Sequence, residues 1–278
     1  MKKMNKRKLI VFADYGLDDA AATATLFRHI KRFSHIDLVP IGGNVPADVS
    51  YENCLTLLSY YPSFHRKVTV VDTRAIPQPS EYLASIHGKD GMGDLFTRQN
   101  GRLRFRTVDF AAWLETVDGT EQVLSLGPMT LVRPLLEKHA SYEPVIMGGC
   151  VHTPPNFRGY EFNQCLDTAA FAYCTKRKHA AVTLDTCRVD KLDMRRVEIT
   201  GDDIHAQILR ADQALSISRG EEGCYVWDDV TACYLLFPER FVLHAEQDRD
   251  GNTIYNAVYV SDKLYFEADS RAKCLRSR

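Results

Sequence analysis

Short apolar runs alternate along the chain with longer segments in which apolar residues recur every three or four positions. The short runs are Leu9–Phe12, Ile36–Ile41, Val68–Val71, Gln122–Leu126, Val145–Met147 and Ala181–Leu184, and each predicts a strand. Helical spacing covers Asp18 to about Phe33, where Ala21, Ala24, Leu26 and Ile30 offer a buried face, and Ser50 to about Tyr60. Further helical stretches lie near Thr130–Lys138, Thr168–Lys176, Met194–Val197 and Asp203–Ser216. Strand and helix in alternation imply βαβ units with right-handed connections. The expectation is an α/β fold: an open, mostly parallel β-sheet flanked by helices, in a single domain over residues 1–278. Two irregular stretches interrupt the pattern, Thr73 to Gly93 and Gly148 to Tyr160. In an open α/β sheet both belong at the carboxyl edge of the strands.

Composition acts mainly by exclusion. A formal charge of −1 lacks the basic excess of a nucleic-acid binder. No stretch nears the ~18 apolar residues of a membrane span, so no membrane partner is expected. Lys2, Lys3, Lys6, Arg7 and Lys8 look like the start of a signal segment, but the apolar run after them stops at Asp14, and none is expected. Eight cysteines are scattered with no C-x-x-C pair, which argues against structural zinc and fits a cytoplasmic protein.

Candidate chemistry starts at Phe12-Ala13-Asp14-Tyr15-Gly16-Leu17-Asp18-Asp19-Ala20, where the first strand meets the first helix. Two carboxylates about 4 Å apart repel by roughly 4 kcal/mol at an effective dielectric near 20. A helix N-terminus offsets only about 0.3–1 kcal/mol per acid. The rest demands a cation, a shared proton or separation. Hard oxygen ligands suit Ca²⁺ or Mg²⁺; Asp18 as a plain helix cap is the simpler reading. A dinucleotide fingerprint or P-loop is absent, because Gly16 stands without further glycines and no Gly-Lys-Ser/Thr follows. Phe12 also occupies the place an aspartyl nucleophile would need.

Further along come "GGNV" at residues 42–45, "HGKDGMGD" at 87–94, "GPMT" at 127–130 and "MGG" at 147–149. "EFNQCLDTAA" at 161–170, "TLDTC" at 183–187 and "WDD" at 227–229 complete the set. In this order they resemble the nucleoside hydrolase family, the inosine-uridine-preferring type of ribohydrolase. Its pattern runs D-x-D-x-G-x-D-D-A, G-N, a glycine-rich loop with H-G, G-P-L-T, M-G-G, E-F-N, L-D-V-T and a C-terminal H-D. The resemblance covers about residue 8 to about 240, and Val242 to Arg278 show no clear counterpart.

The resemblance implies a Rossmann-like fold and a Ca²⁺ ion held by Asp14, Asp19, the backbone oxygen of Thr130 and Asp228, with Asp229 as the alternative to Asp228. It implies Asp14 as general base, and Asp18, Asn44, Asn156, Glu161 and Asn163 as a ribose clamp. Asn156 matches only with a one-residue gap, and Glu161 with Asn163 could be an ordinary helix-start pair. His87 has the family's support as a substrate contact. Two positions depart from the pattern. Phe12 replaces an Asp that backs the acid cluster, and Trp227 replaces the His of the inosine-uridine type. Purine-specific relatives carry a Trp there, which stacks on the base. The expected activity is therefore Ca²⁺-dependent cleavage of a small-molecule ribonucleoside, a purine or modified purine favoured, by a homo-oligomer (dimer or tetramer). The two departures motivate an alternative, a non-catalytic nucleoside- or ribose-binding protein of the same fold.

Overall fold

The computed structural model describes residues 6–81, 84–100, 104–261 and 272–274; Lys2 and Lys3 of the basic start lie outside them. Strands β1 (Leu9–Ala13), β2 (Ile36–Pro40), β3 (Val68–Asp72), β4 (Arg106–Asp109), β5 (Gln122–Ser125), β6 (Val145–Met147) and β7 (Ala180–Val182) come first. They are followed by β8 (Val197–Ile199), β9 (Phe241–Gln247), β10 (Thr253–Tyr259) and β11 (Ala272–Cys274). The helices are α1 (Leu17–Arg28), α2 (Ala47–Ser59), α3 (Ala84–His87), α4 (Phe110–Leu114) and α5 (Val132–Lys138). The remainder are α6 (Phe162–Leu166), α7 (Thr168–Thr175), α8 (Leu184–Cys187), α9 (Ile204–Ser218) and α10 (Trp227–Leu236).

Nine strands form one sheet in the order β4-β3-β2-β1-β5-β6-β7-β10-β9, while β8 and β11 pair apart from it. Every neighbour pair in the large sheet is parallel except β10 with β9. The expected open, mostly parallel sheet is therefore present. Strand alternation divides the core: Leu9, Val11 and Ala13 pack with α1, α2, α9 and α10, whereas Ile10 and Phe12 pack with α4, α5 and α7. Both faces of β1 are covered, which is why it reads as an unbroken apolar run.

The six strands anticipated from apolar runs all form, with ends shifted by a residue or two. The first helix ends at Arg28, short of Phe33, and a 3₁₀ turn Ile30–Arg32 follows; Met194–Arg196 is likewise 3₁₀. Sequence patterning misses β4, β8, β9, β10 and β11, and Val197, expected to be helical, begins β8. No described helix is long and apolar enough to cross a membrane.

Strand order reverses at β1, which lies between β2 and β5. A crevice opens outside the carboxyl ends of strands at such a point. The segments after β1, β2, β5 and β6 carry most of the candidate residues into it.

Candidate active site

Asp14 follows the last residue of β1 and is fully buried. Tyr15 after it takes φ of 43°, in the left-handed region, and turns the chain into α1. Strained backbone of this kind persists only where surroundings hold it. Here Asn53 of α2 holds it, donating from Nδ2 to the Tyr15 carbonyl (3.1 Å) and to the Asp90 carbonyl (2.8 Å). Asn53 thereby ties the β1–α1 turn to the glycine-rich loop, a positioning role that sequence reading missed.

Gly16 is the N-cap of α1, so Asp18 is not. The capping carboxylate is Asp19, which accepts from the N–H of Gly16 (2.8 Å) and of Asp14 (3.1 Å). Asn44 donates its backbone N–H to Asp14 Oδ2 (2.5 Å), and its Nδ2 reaches Asp19 Oδ2 at 3.5 Å. This approach requires Gly43, because a Cβ there would overlap the Asp14 carboxylate.

From the first turn of α10, Asp228 enters the same space. Asp18, Asp19 and Asp228 each bring an oxygen within 4.8 Å of one another. Asp229 does not join them: its charge acts on His29 and Cys233 on the other side of α10. Burial pushes the Asp14 carboxyl up to about 7, against hydrogen bonds that pull it down and aided by the charge of Asp18. Asp19 and Asp228 are raised well above the ordinary carboxylate range, by burial first and by their acidic neighbours second.

No described Lys, Arg or His forms an ion pair with Asp14, Asp18, Asp19 or Asp228. The buried Oδ1 atoms of Asp14 and Asp18 have no hydrogen-bond partner among the described residues. An all-oxygen, uncompensated cluster with orphaned acceptors fits a hard divalent cation. Thr130 lies on the turn after β5 with its hydroxyl donating to Asp167 Oδ2 (2.7 Å).

The cluster opens into a cavity of about 540 Å³ lined by Asp18, Asn44, His87, Asn156, Glu161, Asn163, Trp227 and Asp228 among others. All the substrate contacts expected from the sequence thus meet in one space. Glu161 both caps α6 and lines the cavity. Its carboxylate accepts from Asn163 N (3.0 Å), Gln164 N (3.0 Å) and Gly149 N (3.1 Å). Gly149 presents its N–H at φ of 85°, a conformation that favours glycine. Burial pushes Glu161 up to about 7 despite those bonds. Asn163 spends its Nδ2 on the carbonyls of Leu126 (2.9 Å) and Met147 (3.3 Å). Trp227 begins α10 and packs beside Met147, Cys150 and Leu184, and its indole nitrogen has no hydrogen-bond partner among the described residues.

Phe12 does not face the acids. It is fully buried on the opposite layer, edge-to-face with Trp113 at 6.1 Å. At the far end the cavity is walled by Asp212, Ser216 and Arg219 of α9 and its end, and by Glu221 and Tyr225 beyond it. These residues were missed: Asp212 and Ser216 are ordinary polar positions of an amphipathic helix, and Arg219, Glu221 and Tyr225 follow it without a motif.

Over residues 9–275 the chain matches the family described as inosine-uridine preferring nucleoside hydrolase. The match extends past residue 240, where the sequence motifs end. Among solved structures, a purine-preferring ribonucleoside hydrolase from Gardnerella vaginalis superposes with a TM-score of 0.66 at 17% identity, covering 93% of this chain and 94% of that one. An inosine-guanosine nucleoside hydrolase gives 0.64 at 19% identity, covering 95% and 91%. An inosine-uridine preferring nucleoside hydrolase from Bacillus anthracis gives 0.60 at 15% identity, covering 92% and 91%. No curated protein sequence matches the chain.

Proposed function

The chain belongs to the inosine-uridine preferring nucleoside hydrolase family, a hydrolase of N-glycosyl compounds, and we propose that it is a Ca²⁺-dependent ribohydrolase favouring purine nucleosides. The observation that carries this reading is the uncompensated acid cluster at the strand-order reversal, opening into a cavity with Trp227 at its wall.

Asp14, Asp19, Asp228 and the Thr130 backbone oxygen would hold the cation. When bound, it neutralises the cluster and, as a Lewis acid, makes water and sugar hydroxyls beside it more acidic. Asp14, with Oδ2 anchored by Asn44 and Oδ1 unengaged, is the general base. It takes a proton from water as the water oxygen bonds to the anomeric carbon. The C1′–N bond breaks, and its electron pair leaves with the base. Asp18, Asn44, Asn156, Glu161 and Asn163 hydrogen-bond the ribose, so the sugar can be gripped more tightly as it flattens toward the transition state. Trp227 stacks on the base, an interaction worth about 1–3 kcal/mol, and His87 contacts the nucleoside from the glycine-rich loop. The purine preference draws on Trp227 and on the purine-preferring and inosine-guanosine structures of the same fold. The working form is a homo-oligomer, dimer or tetramer, in the cytoplasm.

The test is release of reducing sugar from inosine, adenosine, guanosine, uridine and cytidine, with Ca²⁺ and with chelator. Chelator-sensitive release that is fastest with purines is expected. Release unaffected by chelator would remove the cation from the mechanism, and pyrimidine-selective release would remove the role given to Trp227.

A further inference from the structure

Breaking an N-glycosidic bond leaves an electron pair on the base, and departure is faster when a ring nitrogen is protonated as the bond breaks. Trp227 has no acidic proton to give. A proton donor must therefore come from another residue of the cavity wall, and the far wall holds several acidic and titratable side chains.

Most candidates there are already engaged. Glu221 accepts from Arg219 Nε (2.8 Å) and from the Ser216 hydroxyl (2.7 Å), and its carboxyl is held below the ordinary range. Arg219 also donates from Nη1 to the Ile86 carbonyl (2.9 Å). Glu161 has both oxygens committed to backbone N–H groups. The Nδ1 of His87 faces the Leu17 N–H at 3.4 Å, and burial lowers its pKa, leaving a neutral imidazole. Tyr225 is held above the ordinary phenol range by burial, which makes it a poorer acid still.

Asp212 differs from all of these. It stands one turn before Ser216 on the cavity face of α9, is half-buried, and has no hydrogen bond or ion pair among the described residues. No hydrogen bond or ion pair links it to Asp14, Asp19 or Asp228. The charged and titratable groups acting on it are Asp18 of α1, Arg219 at the end of its own helix, and Glu221 and Cys224 of the following loop. Burial, with Asp18 and Glu221 adding and Arg219 opposing, pushes its carboxyl up to about 8, which favours the protonated form.

We propose that Asp212 is the proton donor to the departing base. As the C1′–N bond breaks and its electron pair stays on the base, the carboxyl proton of Asp212 passes to a ring nitrogen. Solvent returns a proton to the carboxylate once the base has left. This rests on the ribohydrolase reading of the same cavity.

The experiment compares inosine with 4-nitrophenyl β-D-riboside, whose leaving group departs without protonation, in the Ca²⁺-supplied wild-type chain and in Asp212→Asn. Loss of a proton donor costs typically 10²–10⁴-fold. The expected result is a fall in kcat of about 100-fold or more on inosine, with under about 3-fold change on the nitrophenyl riboside. The fall of kcat on the basic side of the inosine pH profile should disappear with it. Retained nitrophenyl riboside turnover also shows that the variant is folded. An equal loss on both substrates, or under about 3-fold loss on inosine, would overturn the assignment of Asp212 alone. A wild-type chain that cleaves neither substrate would overturn the ribohydrolase reading and this proposal together.

Discussion

Asp14 has one carboxylate oxygen fixed by Asn44, and the other has no hydrogen-bond donor among the described residues. That asymmetry suits a base, because the side chain is oriented without being used up. Asp14→Asn should lower kcat by about 10²–10⁴-fold, the usual size of a general-base contribution, while KM changes little. Steady-state kinetics decide it, and near wild-type kcat would remove the role. Gly43 gives a second route to the same carboxylate. A methyl at that position must displace Asp14 or Asn44, and a shift of about 1 Å can cost 10²-fold in rate. Gly43→Ala should therefore behave like a weaker Asp14 variant although it removes no functional group. Trp227→Ala should cost purine nucleosides about 10-fold in kcat/KM from lost stacking. An equal loss on pyrimidine nucleosides would show that Trp227 serves only as core. Phe12 has the simplest account: its ring fills the α4–α5 layer against Trp113, which uses a core position and leaves the acids on the other side of the turn untouched.

Glu161 joins the element scale to the site, since one carboxylate starts α6 and closes the Gly149 turn. Glu161→Ala would leave buried N–H groups unpaired, at about 1–3 kcal/mol for such a group. Thermal or urea denaturation should show destabilisation of that order, accompanied by a raised KM. Stability unchanged within about 0.5 kcal/mol would mean that water replaces the carboxylate there. The same scale explains what the sequence allowed to be read. Buried strands such as β1 and β6 are continuous apolar runs and were visible. The edge strand β4 is Arg106-Thr107-Val108-Asp109, paired only with β3 and mostly exposed, so no apolar pattern marks it. The other edge, β9, exposes Val242 through Ala245 in succession and looks like a surface loop. The candidate site was legible where a motif carries its residues to the cavity wall, from Asp18 to Asp228. Asp212 was not, because a lone acid in an amphipathic helix stands out only once α9, packed on α1 and α3, is seen to wall the cavity.

At the scale of the whole molecule, the buried acids tie stability to pH and, on the proposed reading, to a cation. Asp14 is raised from 3.8 to about 7, Glu161 from 4.5 to about 7 and Asp212 from 3.8 to about 8. Between those limits the folded chain binds more protons than the unfolded one. Stability is then fully present below the unfolded values and is lost as pH rises through the folded ones. The cation-free chain should melt at progressively lower temperature from about pH 4.5 to 8. A hard cation binds the ionised carboxylates and adds RT ln(1 + [L]/Kd), about 2.7 kcal/mol at one hundred times Kd. The Ca²⁺-induced rise in Tm should accordingly be small near pH 5 and reach several degrees near pH 8. Asp228→Asn separates this from a general salt effect. It removes a carboxyl whose ionisation is opposed by burial and by Asp19, Asp18 and Asp14, so with chelator at pH 8 it should melt above the wild type, and added Ca²⁺ should raise it little. A variant that is less stable than wild type with chelator, yet keeps the full Ca²⁺ shift, would show that the acids are held together by something other than a cation.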